Sequence, residues 1–178
     1  MRRRVVILAA VLAAVIAVAA GLYLFQPWRI FTSSTVVEDV PAVATPAAKS
    51  AAPSAPIATP AVPRELATGR LISHEHASSG TVKVLQLPDG SRILRLEGLD
   101  TSDGPDLRVW LSDAPVVEGV AGWYVFDDGA YLDLGALKAN KGNQNYPIPA
   151  GAVLDDYSSV SIWCARFAVS FAAAELKT

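Results

Sequence analysis

The chain has 178 residues, enough for one ordinary domain with extensions but cramped for a two-domain enzyme. Its composition, 52% hydrophobic and 18% charged with a net charge of −2, is more apolar than a plain soluble protein requires. The one cysteine, Cys164, excludes a disulfide-stapled fold, a CxxC redox pair and a Cys-rich zinc site, since each needs at least two thiols.

The apolar excess lies near the N-terminus, where residues 5–25 form an uncharged run of 21 positions. At about 1.5 Å per residue, a helix of this length is about 32 Å long and matches a hydrocarbon core of about 30 Å. Arginines occupy positions 2–4, and the positive-inside rule assigns residues 1–4 to the cytoplasm as a basic tail. The sequence therefore predicts a single-pass cell-membrane protein with a transmembrane helix at 5–25, a cytoplasmic N-terminus and an extracytoplasmic C-terminal domain.

A cleaved secretory signal is the alternative interpretation of the same segment. Ala17-Val18-Ala19 resembles a signal-peptidase site, but the apolar run continues to Phe25 without a polar stretch before the site. We therefore favour the uncleaved anchor. Both interpretations export the C-terminal domain.

Residues 26–64 are the predicted linker, disordered and rich in proline and alanine. Positions 33–64 hold six prolines and nine alanines, with no glycine and no aromatic residue. This composition cannot build a hydrophobic core and favours extended chain, which at about 3.1 Å per residue reaches at most about 100 Å. The segment is a stalk or a filler without a mechanical role, and both interpretations place a domain boundary at Glu65.

Residues 65–178 are predicted to form an all-β domain, an antiparallel sandwich or a barrel-like fold. Short runs with strand character alternate with turn signals, and no stretch of helical periodicity of ten or more residues interrupts them. The region carries nine basic and fifteen acidic side chains, which argues against a nucleic-acid partner and against a face that binds anionic lipids. The candidate strands are 69–74, 81–87, 92–99, 107–112, 122–126, 130–134, 160–164 and 167–171.

The alternation of side chains along the last segment gives an expectation for the cysteine. If 159–171 continues in register, Cys164 and Arg166 share one strand face, about 7 Å apart, and the guanidinium favours the thiolate. The opposite face then carries Trp163, Phe167 and Phe171, unless a bulge near Ala165 reverses the relation.

Four separated motifs resemble the domain family called DM13 (DM thirteen), and they span about residues 69–176 in the family's order. His76 with Ser79-Gly80-Thr81-Val82 is similar to its H-x-x-x-G-x-V opening, and Gly104-Pro105-Asp106-Leu107 to its G-P-D-L entry into a strand. The two longer matches are LGALKANKGNQNYPIP at 134–149, similar to L-K-x-N-x-G-N-Q-x-Y-x-(I/L)-P, and SIWCARFAVSF at 161–171, similar to W-C-x-x-F-x-V-x-F, followed by A-x-L.

The resemblance implies an electron-transfer module whose cysteine is the redox-active group, and only Cys164 carries that role over to this chain. Animal members occur beside DOMON and cytochrome b-type domains, whereas bacterial members are commonly small anchored or exported proteins. Companion haem domains are missing from this sequence. The implied partner is therefore an unidentified redox or envelope protein, besides the membrane that holds the anchor.

Two functions remain open at this point. In the first, Cys164 is the catalytic or redox residue of a membrane-anchored extracytoplasmic module, and an external thiol or a second molecule completes any cycle. In the second, the domain is a non-enzymatic sandwich of the cell envelope that binds a ligand or a partner, with Cys164 packed as a small hydrophobe. Exposure of Trp110 or Trp123 favours the second function.

Metal sites were considered from two residue groups, and neither is assigned. His74, His76 and Cys164 match the ligand count of an electron-transfer copper site, without its loop spacing. Three aspartates around a Gly-Pro turn offer carboxylates for calcium, without an EF-hand pattern. No CxxCH, GxSxG, HExxH, Walker or dinucleotide motif occurs, so the sequence identifies no cofactor. The aspartates are Asp100, Asp103 and Asp106.

Overall fold

Helix α1 (Arg2–Phe25) is the first element of the chain, and none of its 24 residues is buried. The structure is a computed structural model that describes residues 2–41 and 62–178. The helix contains the whole predicted segment 5–25 and is long and apolar enough to cross a membrane. A short 3₁₀ turn, Pro27–Phe31, follows it.

Ten β-strands make up the rest of the described fold, in two five-stranded sheets. The first sheet has the strand order β1-β8-β5-β4-β2, and the second has the order β3-β10-β9-β6-β7. Neighbouring strands are antiparallel except for β1 and β8, which run parallel. The predicted all-β fold is thus confirmed. The strands are β1 (Thr35–Val37), β2 (Arg64–Arg70), β3 (Ile72–Ser73), β4 (Ser79–Gln86), β5 (Arg92–Asp100), β6 (Leu107–Ser112), β7 (Tyr131–Ala136), β8 (Lys141–Ile148), β9 (Ser159–Cys164) and β10 (Val169–Glu175).

The main hydrophobic core lies between the two sheets and follows the period-two pattern of the strands. Leu107, Val109 and Leu111 of β6 all point into it, as their alternation with polar residues predicts. The first sheet contributes buried residues from β4 and β5, among them Val82 and Leu94. Burial of apolar side chains on both inner faces therefore holds the sheets together.

A second apolar cluster covers the outer face of the second sheet. Trp110 and Trp163 stack there with ring centroids 5.0 Å apart, and Phe126 packs against Trp163. Phe126 belongs to the long connection between β6 and β7, which folds over this face. Trp110, expected on the face away from the core, is therefore also buried.

Two sequence expectations differ from the structure. The predicted strand at 122–126 is wrong, because a 3₁₀ turn, Val120–Gly122, begins that region and no strand follows before β7. Strand β8 was missed, because its Asn, Gln, Gly and Pro residues are typical of turns. In the sheet, Gln144 bonds to Ala139 of the neighbouring loop, Asn143 accepts from the Gly98 N–H of β5, and Asn145 accepts from Arg95. The central strand tolerates these polar side chains because each has a partner.

The structure adds to the sandwich residues that the sequence assigned to the linker 26–64. Strand β1 completes the first sheet at one edge, and β2 begins at Arg64 on the opposite edge. The proline-rich stretch 42–61 lies outside the described residues. We call residues 26–40 the docked segment, since they connect the helix to the sheet edge.

The docked segment is fixed by the side chain of Glu38. Its carboxylate accepts hydrogen bonds from the Asn145 backbone N–H at 2.7 Å and from Lys138 Nζ at 2.7 Å. These bonds, chiefly the one from Lys138, lower the pKa of Glu38. Arg95 Nη1 donates to the Glu38 carbonyl at 3.0 Å. Strand β1 thereby covers the edge that β8 would otherwise expose.

The absence of a side chain at Gly142 allows β1 to approach β8. A Cβ atom at Gly142 would lie 2.0 Å from the carbonyl oxygen of Val36, and the residue has a φ of +102°. Gly135 has a similar φ of +122°, with nothing within 4 Å of its Cβ position. An alanine at either position strains the backbone, because both have a positive φ, but only at position 142 would its Cβ also collide with a neighbouring strand. A comparison of the two variants therefore isolates the effect of the collision.

We expect Gly142→Ala to lower the free energy of unfolding by about 1–3 kcal/mol more than Gly135→Ala does, because only Gly142→Ala forces β1 away from β8. Urea denaturation measures the difference. Hydrogen exchange at the Glu38 amide, which donates to Asn143 at 2.9 Å, is expected to accelerate in Gly142→Ala alone. Equal losses in the two variants would show that the docked segment does not depend on this contact.

Candidate functional site

Cys164 is the last residue of β9 and lies in the main core. Its strand neighbours are Leu107 on β6 and Val169 on β10, and its exposed fraction is 0%. Val160 and Ile162 point into the same core, as the sequence predicted for this face of the strand. The sulfur is thus surrounded by close-packed apolar side chains.

Two short segments cover the sulfur on the side toward solvent. The first is the loop 101–106, where the carbonyl oxygen of Pro105 lies 3.2 Å from Cys164 Sγ and accepts its hydrogen bond. The second is the turn 165–168, whose four residues are all exposed. We call these two segments the thiol cover. Cys164 is therefore sealed from solvent, yet adjacent in sequence to the surface.

Burial raises the pKa of the Cys164 thiol. The backbone N–H groups of Phe167 and Arg166 work in the opposite direction, and the carboxylates of Asp106 and Glu75 add to the increase. The thiol is consequently protonated at neutral pH. Since the thiolate is the nucleophile, Cys164 is a poor nucleophile while the thiol cover is closed.

Arg166 does not support a thiolate as the sequence suggested. Strand β9 ends at Cys164, so Arg166 lies in the turn rather than on the same strand face. Its Nη1 donates to the backbone carbonyl of Leu24 at 2.9 Å, at the end of helix α1. The guanidinium thus caps a helix C-terminus, where a positive charge is favourable.

The aromatic residues of this region are also distributed differently from the prediction. A register shift between Ser170 and Ala172 places Phe171 in the main core, whereas Trp163 belongs to the outer cluster. Phe167 lies in the turn and stacks on Phe25 of the helix at 5.7 Å. The turn and the shift each interrupt the simple alternation on which the expectation rested.

The two histidines occupy separate environments. His74 is buried on the outer side of the second sheet, where its Nδ1 is 2.9 Å from Ser170 Oγ and its ring packs on Phe126. His76 packs against Phe171, with ring centroids 3.9 Å apart and the rings tilted by 45°, and pairs with Glu75 at 2.5 Å. The fold therefore does not bring His74 and His76 together with Cys164. Within residues 2–41 and 62–178, no three His, Cys, Asp or Glu side chains are grouped as metal ligands would be.

The three aspartates considered for calcium each pair with a basic side chain. The contacts are Asp100 with Lys141 at 2.9 Å, Asp103 with Arg29 at 3.1 Å and Asp106 with Arg108 at 3.3 Å. Their carboxylates point to different neighbours. They act as separate ion pairs at one end of the sandwich.

A buried polar chain near His74 was missed by the sequence analysis. Ser170 Oγ lies 3.0 Å from Ser161 Oγ and donates to the carbonyl of Ala172 at 3.1 Å. Both serines are fully buried. The sequence shows Ser161 and Ser170 on two mainly apolar strands, β9 and β10. Their burial cannot be predicted from the strands alone, because it depends on the layer that covers this face of the sheet.

The exposure of the tryptophans bears on the second function considered from the sequence. Trp110 is 6% exposed. Trp123 is half-buried in the connection between β6 and β7. Neither is an exposed anchor for a partner.

Comparison with known proteins identifies one family. The family model described as "Electron transfer DM13" matches residues 70–176, which include Cys164 and most of the sandwich. No curated protein and no solved structure matches the chain.

We expect the protein to lose stability as the pH falls from about 7 to about 5, because burial lowers the pKa of His74 below its ordinary value of about 6.5. The unfolded chain then binds a proton at a pH where the folded protein does not. His74→Gln, which keeps a hydrogen-bonding group near Ser170, is expected to flatten this part of the profile.

Urea denaturation at successive pH values measures the effect, with His76→Gln as the matched control. The carboxylates with lowered pKa, Glu38, Asp89 and Glu97, change the stability only at lower pH, below about 4.5. A wild-type profile that is flat between pH 7 and 5, or one that His76→Gln flattens equally, would contradict the assignment to His74.

Proposed function

Because the chain belongs to the electron-transfer DM13 family, we propose that it is a membrane-anchored, extracytoplasmic redox module in which Cys164 exchanges electrons with an external partner. The family match, which extends over both strands that flank Cys164, carries the proposal. The redox partner is a separate molecule, since the sequence holds no second thiol that could resolve an oxidised cysteine.

Anchoring by helix α1 is supported by its length, its composition and its exposure. The helix has 24 residues, none of them buried, so its whole apolar surface is free to contact lipid. Its first residues are the arginines at positions 2–4, which favour a cytoplasmic N-terminus. The β-sandwich then lies on the extracytoplasmic side.

The closed state of the site limits how Cys164 can react. A protonated, fully buried thiol reacts slowly with any reagent that attacks through the thiolate. The thiol cover lies beside the sulfur, and its turn 165–168 is a short exposed segment of the kind that opens locally at low cost. A reaction in which another molecule touches the Cys164 sulfur therefore requires displacement of the thiol cover.

A second candidate function is a non-enzymatic sandwich that binds an envelope partner. The observation that favours it is the packing of Cys164, which is the ordinary environment of a free cysteine with no chemical role. In this case the thiol contributes apolar contacts and one hydrogen bond to Pro105. Replacement of the sulfur distinguishes the two functions, because it abolishes redox activity in the first and leaves partner binding intact in the second.

We expect Cys164 in the folded protein to be alkylated by iodoacetamide at least about 100-fold more slowly than in the urea-unfolded chain. This corresponds to a local opening that costs about 2.7 kcal/mol or more. Mass spectrometry of timed samples measures the rate. Alkylation as fast as in the unfolded chain would show that the thiol cover does not close.

We expect oxidised glutathione to form a mixed disulfide with Cys164 in the full-length protein in nanodiscs, with release of one glutathione thiol, and reduced glutathione to reverse the reaction. The mass-spectrometric signal of this adduct is expected to disappear in Cys164→Ser. Serine retains a donor for the Pro105 carbonyl, so the fold is kept while the redox chemistry of sulfur is lost. Ser161→Ala, on the same strand, is the matched control and is expected to keep the signal. Absence of the adduct from both wild type and Cys164→Ser would support the partner-binding sandwich instead.

A further inference from the structure

Among residues 2–41 and 62–178, helix α1 contacts the sandwich through its last turn. The carbonyl of Leu24 accepts a hydrogen bond from Arg166, and the ring of Phe25 stacks on Phe167 at 5.7 Å. Residues 2–20 of the helix are exposed throughout, so the helix projects away from the sandwich. The end of the helix and the turn 165–168 are thus at the same level along the helix axis.

The docked segment provides a second attachment between the helix end and the sandwich. Arg29 Nη1 bonds to the Asp103 carboxylate at 3.1 Å and to the carbonyl of Gly104 at 3.3 Å. Thr32 Oγ1 donates to the other oxygen of Asp103 at 2.6 Å. These contacts attach the chain directly after the helix to the loop 101–106. The sandwich is therefore fastened to the helix end at two places.

The length of the helix sets the depth of these contacts in a bilayer. Its uncharged part, residues 5–25, measures about 32 Å at 1.5 Å per residue and matches a hydrocarbon core of about 30 Å. The last turn of a spanning helix then lies at the boundary between the hydrocarbon core and the headgroups of the outer leaflet. Any part of the sandwich that touches Leu24 or Phe25 must lie there too.

The residues around the contact are of the type found at lipid–water interfaces. Four aromatic side chains beside the helix end are exposed: Phe25 at 61%, Trp28 at 50%, Tyr124 at 52% and Phe167 at 43%. A cavity of about 380 Å³ opens between the helix end and the sandwich, lined by aromatic rings together with charged side chains such as Arg29 and Glu75. Aromatic rings with polar neighbours favour the headgroup region of a bilayer.

We propose that the end of the sandwich formed by the turn 165–168, the loop 101–106 and Tyr124 lies against the lipid headgroups of the outer leaflet, with Phe167 and Tyr124 inserted among them. The proposal rests on the proposed anchoring by helix α1. It places the thiol cover of Cys164 at the membrane surface. The sandwich is thereby held at the bilayer rather than displayed at the end of a long stalk.

The test measures the depth of spin labels in the full-length protein in phosphatidylcholine nanodiscs. Single cysteines are introduced into the Cys164→Ser background by Phe167→Cys, Tyr124→Cys, Val15→Cys and Asp89→Cys. Val15 reports the middle of the helix. Asp89 lies in the turn before β5, at the end of the sandwich opposite the helix, because β5 extends about 27 Å from Arg92 to Asp100.

We expect labels at positions 167 and 124 to show a ratio of oxygen to nickel accessibility between those at positions 15 and 89. A label at 15 in lipid, with labels at 167 and 124 as open to nickel as the label at 89, would overturn the proposal and leave the anchor intact. A label at 15 that is itself open to nickel would overturn the anchor and, with it, this proposal.

A charge reversal tests the contact that holds the sandwich in place. Asp103→Arg places two positive charges together, and we expect the label at 167 to lose its protection from nickel. The exchange Asp103→Arg with Arg29→Asp is expected to restore the protection. Asp155→Arg, an exposed aspartate at the opposite end, is the control and is expected to have no effect. Protection unchanged by Asp103→Arg would show that this ion pair does not hold the sandwich at the membrane.

Discussion

The position of the sandwich relative to the helix depends on the bonds that Glu38 makes with the edge of the first sheet. One carboxylate accepts hydrogen bonds from a backbone N–H of β8 and from Lys138, and the backbone carbonyl of the same residue accepts one from Arg95. A strand as short as β1, with three residues, has little area to bury and would not stay paired by its backbone bonds alone. The ion pair therefore makes the chain that leaves the helix part of the sheet, and the contacts of Arg29 and Thr32 with Asp103 complete the attachment.

The segments that cover the thiol are the same segments that contact the end of helix α1 and the docked segment. The loop 101–106 supplies the carbonyl that accepts the Cys164 hydrogen bond, and it also supplies the carboxylate that binds Arg29. The turn 165–168 supplies the N–H groups beside the sulfur, and it also supplies Arg166 and Phe167 to the helix end. A displacement that separates the sandwich from the helix therefore loosens the cover of Cys164. The loop 101–106 and the turn 165–168 therefore both bury the sulfur and attach the sandwich to the helix end.

Period-two alternation and turn residues predicted the all-β fold and the inner faces of β6 and β9, because these patterns are local. The same reasoning failed where a tertiary contact decides the structure. Strand β8 has turn-like residues, and only the neighbouring loop that bonds to Gln144 makes them suitable for a strand. Strand β1 lies in a segment whose composition resembles a linker, and its partner is more than a hundred residues away in the chain. Cys164 was selected from its motif, and its burial stayed one of two open predictions, since the loop that supplies Pro105 and covers the sulfur belongs to another strand connection.

The expectation of a reactive thiolate depended on Arg166 lying on the same strand face as the sulfur, and the structure gives that guanidinium another role. A positive charge at the C-terminus of an exposed helix is stabilised by the helix dipole and by the free carbonyl of Leu24. A buried thiol gains nothing from a charge directed away from it, so its pKa follows burial. Three residues of the motif around Cys164 thus contact three different parts of the protein. Trp163 packs in the outer cluster, Cys164 in the main core, and Phe167 against helix α1. The proposed redox chemistry at this sulfur therefore requires movement of the turn, because no cationic group contacts the sulfur in the closed state within the described part of the chain.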